Sequence, residues 1–130
     1  MKFDLKVGMM AEVEKVVGEK DTAESFGSGS IKVFATPMMV GLMENASLKS
    51  VDPHLPKDYA TVGTHLDVKH LAATPVGMKV KAKAELIEID GKKLKFKIEA
   101  YDEKDKIGEG YHSRYIINSP KFIEASKEKL

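Results

Sequence analysis

One segment limits the possible fold more than any other. Residues 33–51, VFATPMMVGLMENASLKSV, open on a helix-start signal and then stay apolar nearly all the way round. Thr36 followed by Pro37 predicts the start, because Thr is a good N-cap and Pro is tolerated at the first helical position. From Met38 to Leu48 the apolar residues are not confined to one stripe, so this helix must be covered on most sides. Gly41 in its middle costs about 1 kcal/mol against Ala, which predicts close packing of another backbone there. Pro53 and Pro56 close the segment.

Around this helix the chain reads as strand. Met9 to Val17 forms a first strand, and the polar stretch Gly18 to Ser30 reads as a mobile loop or lid, since Gly and Ser are costly to order. Thr64 to His70 alternates, with Thr64, Leu66, Val68 and His70 on one face and His65, Asp67 and Lys69 on the other. Thr74-Pro75-Val76-Gly77 suits a type I turn. Two strands flank Asp90-Gly91, a two-residue hairpin signal. Their inward residues change parity between Ala84 and Ile87, so a β-bulge near Leu86 is expected, pairing Ile87 with Leu94 and Ala84 with Phe96. A last strand runs from about Ile107 to Asn118, and Ser119-Pro120 starts a short C-terminal helix.

The order is strand, loop, buried helix, then four strands. An antiparallel meander following one all-round apolar helix is expected to curl about it, giving an α+β hotdog fold over a single domain, residues 1–130. Such a sheet leaves open edges and an open flank. Dimerisation by sheet extension or by packing on the helix flank is the natural remedy, giving a homodimer or a tetramer.

Composition narrows the function. With 42% hydrophobic and 32% charged residues the chain reads as a soluble globular domain, and no run approaches the roughly 20 apolar residues of a membrane span. The absence of cysteine removes thiolate chemistry and disulfides and fits a cytoplasmic location. Net charge is +1, so no global field favours nucleic acid or an anionic membrane. Lys79, Lys81, Lys83, Lys93, Lys95 and Lys97 read as a solvated outer sheet face; a nucleic-acid stripe would carry Arg and stacking aromatics. No ligand spacing for a metal, no phosphate loop and no dinucleotide fingerprint is present.

Three side chains invite chemistry. Glu44 is a carboxylate in an otherwise apolar helix, so it is either hydrogen-bonded, paired or on the one stripe that reaches solvent, beside Val40 and Ser47. Thr36 has a structural explanation as N-cap, yet a helix N-terminus also suits a nucleophilic hydroxyl or a developing oxyanion. His70 shares the inward face of Leu66 and Val68, where a neutral imidazole is either a satisfied core residue or a general base. His54 and His65 read as loop-borne or solvent-facing, and His112 beside Arg114 is intermediate.

VFATPMMVGLMENAS, VGTHLDVKHLAATPVGMKV and GEGYHSRYII together resemble the hotdog thioesterases related to fluoroacetyl-CoA thioesterase, over about Val33 to Phe122. The resemblance implies an acyl-CoA thioesterase that needs no cofactor, CoA being part of the substrate. It implies that Thr36, Glu44 and His70 cooperate in hydrolysis, and that Gly63 brings its backbone to the thioester carbonyl. Arg114 is the second substrate-binding candidate. Gly27 to Ser30 lack the aromatic lid expected of the fluoroacetyl enzyme, so the acyl-CoA class carries over more safely than the fluorinated substrate. The alternatives are a non-catalytic acyl-CoA or small-ligand-binding hotdog domain and an enoyl-CoA hydratase, whose Asp–His pair Asp67 does not supply because it faces away from His70.

Overall fold

The computed structural model describes residues 2–130. Strand β1 (Met10–Val16) is followed by a short helix α1 (Ala23–Phe26) and the long helix α2 (Thr36–Val51). Four strands come next: β2 (Tyr59–His70), β3 (Lys79–Asp90), β4 (Lys93–Tyr101) and β5 (Lys106–Asn118). Helix α3 (Ser119–Lys127) ends the chain. The five strands form one antiparallel sheet in the order β1-β3-β4-β5-β2, and α2 lies against one face of it. This is the hotdog arrangement expected from the order of elements. No helix among the described residues is long and apolar enough to cross a membrane.

Alternation makes the core. Val80, Ala82, Ala84 and Leu86 of β3 and Leu94, Phe96, Ile98 and Ala100 of β4 are all buried on the helix side, against Met39, Met43 and Ala46 of α2. The small alanines let the sheet come close to the helix, and the methionines fill the irregular gaps that remain. On the outer face Lys79 and Lys81 pair with Glu12 and Glu14 of β1, and Lys95 lies over the Tyr111 ring, as a solvated face requires.

The hairpin register differs from the expected one by two residues. The pairs are Ala84 with Ile98, Leu86 with Phe96 and Ile89 with Leu94, and the bulge falls between Leu86 and Glu88. Asp90 pairs with Lys93, so Gly91 and Lys92 make the turn, with Gly91 at φ 61°. Leu86, not Ile87, therefore points into the core, a burial worth about 2 kcal/mol. The Pro75 turn also moves by one residue: Met78 N–H donates to the Pro75 carbonyl, and Gly77 takes φ 97° at the third position, as a type II turn demands.

Two further expectations are corrected. Gly18 to Ser30 carries local structure, namely a 3-10 turn at Glu19–Asp21 and α1, with Asp21 buried and paired to Lys15. Gly41 packs against no other backbone; a methyl group there would meet nothing within 4 Å.

The helix covers the β1-β3-β4 part of the sheet far better than the β5-β2 part. Leu66, on the helix-side face of β2, is left 41% exposed. Strand β2 is also an outer strand with its second hydrogen-bonding edge free. Uncovered apolar surface and an open edge thus coincide on one flank.

Candidate active site

Ala35, not Thr36, is the N-cap of α2, and its side chain can make no cap bond. Thr36 is the first helical residue, with Pro37 behind it in the first turn, where a missing N–H is harmless. Freed from capping, the Thr36 hydroxyl instead meets the ring of His70, with Oγ1 2.6 Å from Nδ1. That distance is typical of a strong hydrogen bond, with the hydroxyl donating to an unprotonated ring nitrogen.

His70 ends β2 on the helix side, the face its alternation predicts. Burial holds its pKa below the ordinary imidazole value, and the nearby Ala72 backbone partly opposes this. At neutral pH the ring is therefore a free base, and Nδ1 can take the Thr36 proton. Its Nε2 is buried with no hydrogen-bond partner among the described residues. A buried orphan of this kind costs about 1–3 kcal/mol.

Glu44 does not join this pair. It lies eight residues beyond Thr36, about 12 Å along the helix axis. There it faces Gly63: a methyl group on Gly63 would sit 3.2 Å from Oε2 of Glu44, 3.0 Å from Cε1 of His112 and 3.6 Å from Nη1 of Arg114. Gly63 and His70 stand seven residues apart on β2, about 20 Å. The chain therefore carries a Thr36–His70 pair at one end of the helix and a Glu44–Gly63–His112–Arg114 group nearer the other. Ser47, expected with Glu44 on the solvent stripe, is buried and donates to the Met43 carbonyl.

The second group holds the predicted substrate-binding candidates Gly63 and Arg114, and it extends to Thr61 and Asp52, which sequence reasoning missed. His112 is 1% exposed and Arg114 6%, and Arg114 donates to both Thr61 and His112. Thr61 in turn donates to Asp52. Burial lowers the His112 pKa, opposed by its hydrogen bond to the His65 carbonyl. Burial also pulls the Arg114 guanidinium below its ordinary value, opposed by Asp52 and Glu44. For His112 and Arg114 the signal was present in β5: Gly108, Gly110, His112, Arg114 and Ile116 alternate onto the inward face. His54, His65 and Asp67 are exposed, and Asp67 lies on the outer face, away from His70. No cluster of three potential metal ligands occurs among the described residues.

The family model for FlK, fluoroacetyl-CoA-specific thioesterase, matches residues 17–120. The chain belongs to this thioesterase family. A fluoroacetyl-CoA thioesterase from Streptantibioticus cattleyicolor is 41% identical over 98 residues, 75% of this chain and 70% of that protein. A crystal structure of a FlK variant in complex with acetyl-CoA superposes with a TM-score of 0.91 at 34% identity, covering 96% of this chain and 98% of that one. A hot-dog-like protein from Thermanaerovibrio acidaminovorans has a TM-score of 0.87 over 97% of this chain and 93% of its own. At 19% identity that likeness speaks for the fold alone.

Proposed function

We infer that this FlK-family protein hydrolyses the thioester of an acyl-CoA, using Thr36 and His70 of one subunit and Glu44 of the partner subunit. The observation that carries the reading is the 2.6 Å bond between the Thr36 hydroxyl and Nδ1 of a base-form imidazole. A Thr hydroxyl is a poor nucleophile unless a base stands within hydrogen-bond reach, and here one does.

The divided site supports a homodimer. The midpoint between Thr36 and Glu44 on α2 is Val40, next to the open surface of Gly41. The midpoint between Gly63 and His70 on β2 is at Leu66 and Asp67, beside the free edge and the uncovered leucine. A two-fold axis through this flank exchanges the ends of both elements. It pairs the β2 edges and sets Glu44 and Gly63 of each subunit near Thr36 and His70 of the other. Glu44 of the partner subunit then lies beside the Thr36–His70 pair, completing a nucleophile, base and orienting acid.

In this scheme Thr36 Oγ1 attacks the thioester carbonyl, or holds the attacking water, as Nδ1 takes the proton. The imidazolium, stabilised by the nearby carboxylate, returns the proton to the departing CoA thiolate; where Thr36 itself attacks, the same imidazole then deprotonates a water that cleaves the acyl-threonine ester and releases the acid. The positive end of the α2 dipole and the backbone at Gly63 of the partner subunit face the developing oxyanion. The substrate class is a short or medium acyl-CoA, supported by the acetyl-CoA held in the solved relative. The test is free-thiol release from a panel of acyl-CoAs that includes fluoroacetyl-CoA. Hydrolysis by the wild type, with a loss of about 100-fold or more in Thr36→Val and His70→Ala, supports the reading. No thiol release from any member of the panel would overturn it.

A further inference from the structure

Arg114 poses a question that hydrolysis by Thr36 and His70 does not answer: what holds a guanidinium that is only 6% exposed? A charge at that depth needs its N–H groups satisfied and a counter-charge within reach. Its Nε–H donates to Oγ1 of Thr61 at 2.7 Å and its Nη2–H to the Thr61 carbonyl at 2.8 Å. The Thr61 hydroxyl, having accepted from Nε, turns its own hydrogen to Oδ1 of Asp52 at 2.6 Å. The Thr61 amide donates to Oδ2 of the same carboxylate at 3.3 Å.

On the other side, Nη1–H of Arg114 donates to Nε2 of His112 at 3.0 Å. Accepting there leaves Nε2 without a proton, so Nδ1 carries it and donates to the His65 carbonyl at 2.8 Å. Every hydrogen in the chain has one direction: from Arg114 the bonds run one way to the Asp52 carboxylate and the other way to the His65 carbonyl. Asp52 stands at the C-cap of α2, where the helix dipole disfavours an anion. It also opens the single 3-10 turn Asp52–His54, but both of its carboxylate oxygens bond to Thr61 rather than to that turn, and through Thr61 they reach Arg114.

We propose that Asp52 is a positioning residue for the hydrolytic centre: through Thr61 it fixes the Arg114 guanidinium and the His112 ring, which with Glu44 converge on Gly63. Glu44 has no hydrogen bond of its own among the described residues, so its place depends on the groups around it. The proposal rests on the thioesterase reading for its kinetic consequence but not for its geometry.

Asp52→Asn keeps the shape and removes the charge. It is expected to lower kcat for acyl-CoA about tenfold with KM within about twofold, and to cost nothing further in a Glu44→Gln background. In ¹⁵N spectra the wild-type His112 ring is expected as the single Nδ1–H tautomer, and the Asp52→Asn ring as a mixture. A merely structural Asp52 would lower the melting temperature and scale both backgrounds alike. An equal loss with and without Glu44, an unchanged kcat, or an unchanged His112 spectrum overturns the proposal. If the wild type released no thiol, the functional reading would fail, while the His112 spectra would still decide the relay.

Discussion

Replacing Gly63 by Ala adds one methyl group at the point where Glu44, His112 and Arg114 converge. The new carbon would stand 3.0 Å from Cε1 of His112 and 3.2 Å from Oε2 of Glu44. Gly63 does not have a positive φ, so Ala brings no backbone strain, and the whole effect is contact. His112 cannot yield: it is 1% exposed, with both ring nitrogens engaged, at 2.8 and 3.0 Å. The contact with His112 must therefore be relieved by a shift of β2 at residue 63, and Glu44, half-buried and unanchored, moves with it by a few tenths of an ångström. A misplacement of about 1 Å at a reacting centre costs on the order of 100-fold, so a fraction of that predicts a kcat loss of about tenfold. The overpacking itself should cost about 1 kcal/mol of stability. The assay is kcat and KM by thiol release at a temperature well below the melting transition, with a thermal melt alongside. A kcat within twofold of wild type would refute the claim that this cluster aims the carboxylate.

Two other predictions follow from the same geometry. Burial lowers the His70 pKa and the reaction needs the base form, so kcat/KM should hold constant on acidification and fall only below the ordinary imidazole value of about 6.5; an acid limb centred at or above that value in the pH–rate profile would contradict it. Gly110→Ala should unfold the sheet edge near the site, since its methyl group would collide with the Asp67 carbonyl oxygen of β2, a backbone atom that cannot move aside. Overpacking against backbone predicts a loss of about 3 kcal/mol or more in denaturant unfolding, and a midpoint equal to wild type would count against the strand register.

The faces of the strands were legible in the sequence because a period of two leaves little choice. Val80, Ala82 and Ala84 point inward as their spacing requires. The register was not, because Leu86 and Ile87 are both apolar and Gly91 can occupy either position of a two-residue turn. His70 was placed correctly by alternation, but the partner of its Nδ1 depended on the helix beginning one residue earlier than Thr-Pro suggested. Glu44 was grouped with Thr36 and His70 through the family resemblance. In the structure its carboxylate faces Gly63 instead, while Thr36 and His70 bond to each other. The Asp52–Thr61–Arg114–His112 chain joins a helix end to two strands far apart in sequence, and local pattern carries no trace of such a meeting.

Subunit complementation tests the divided site most directly. Thr36→Val and Glu44→Gln proteins, each inactive alone, are co-expressed or refolded together so that subunits mix. A mixed dimer then holds one site with both defects and one with neither, so thiol release should recover to roughly a quarter of the wild-type rate at random mixing. A mixture that forms dimers yet stays at the rate of the two variants alone would mean that no catalytic carboxylate crosses between subunits.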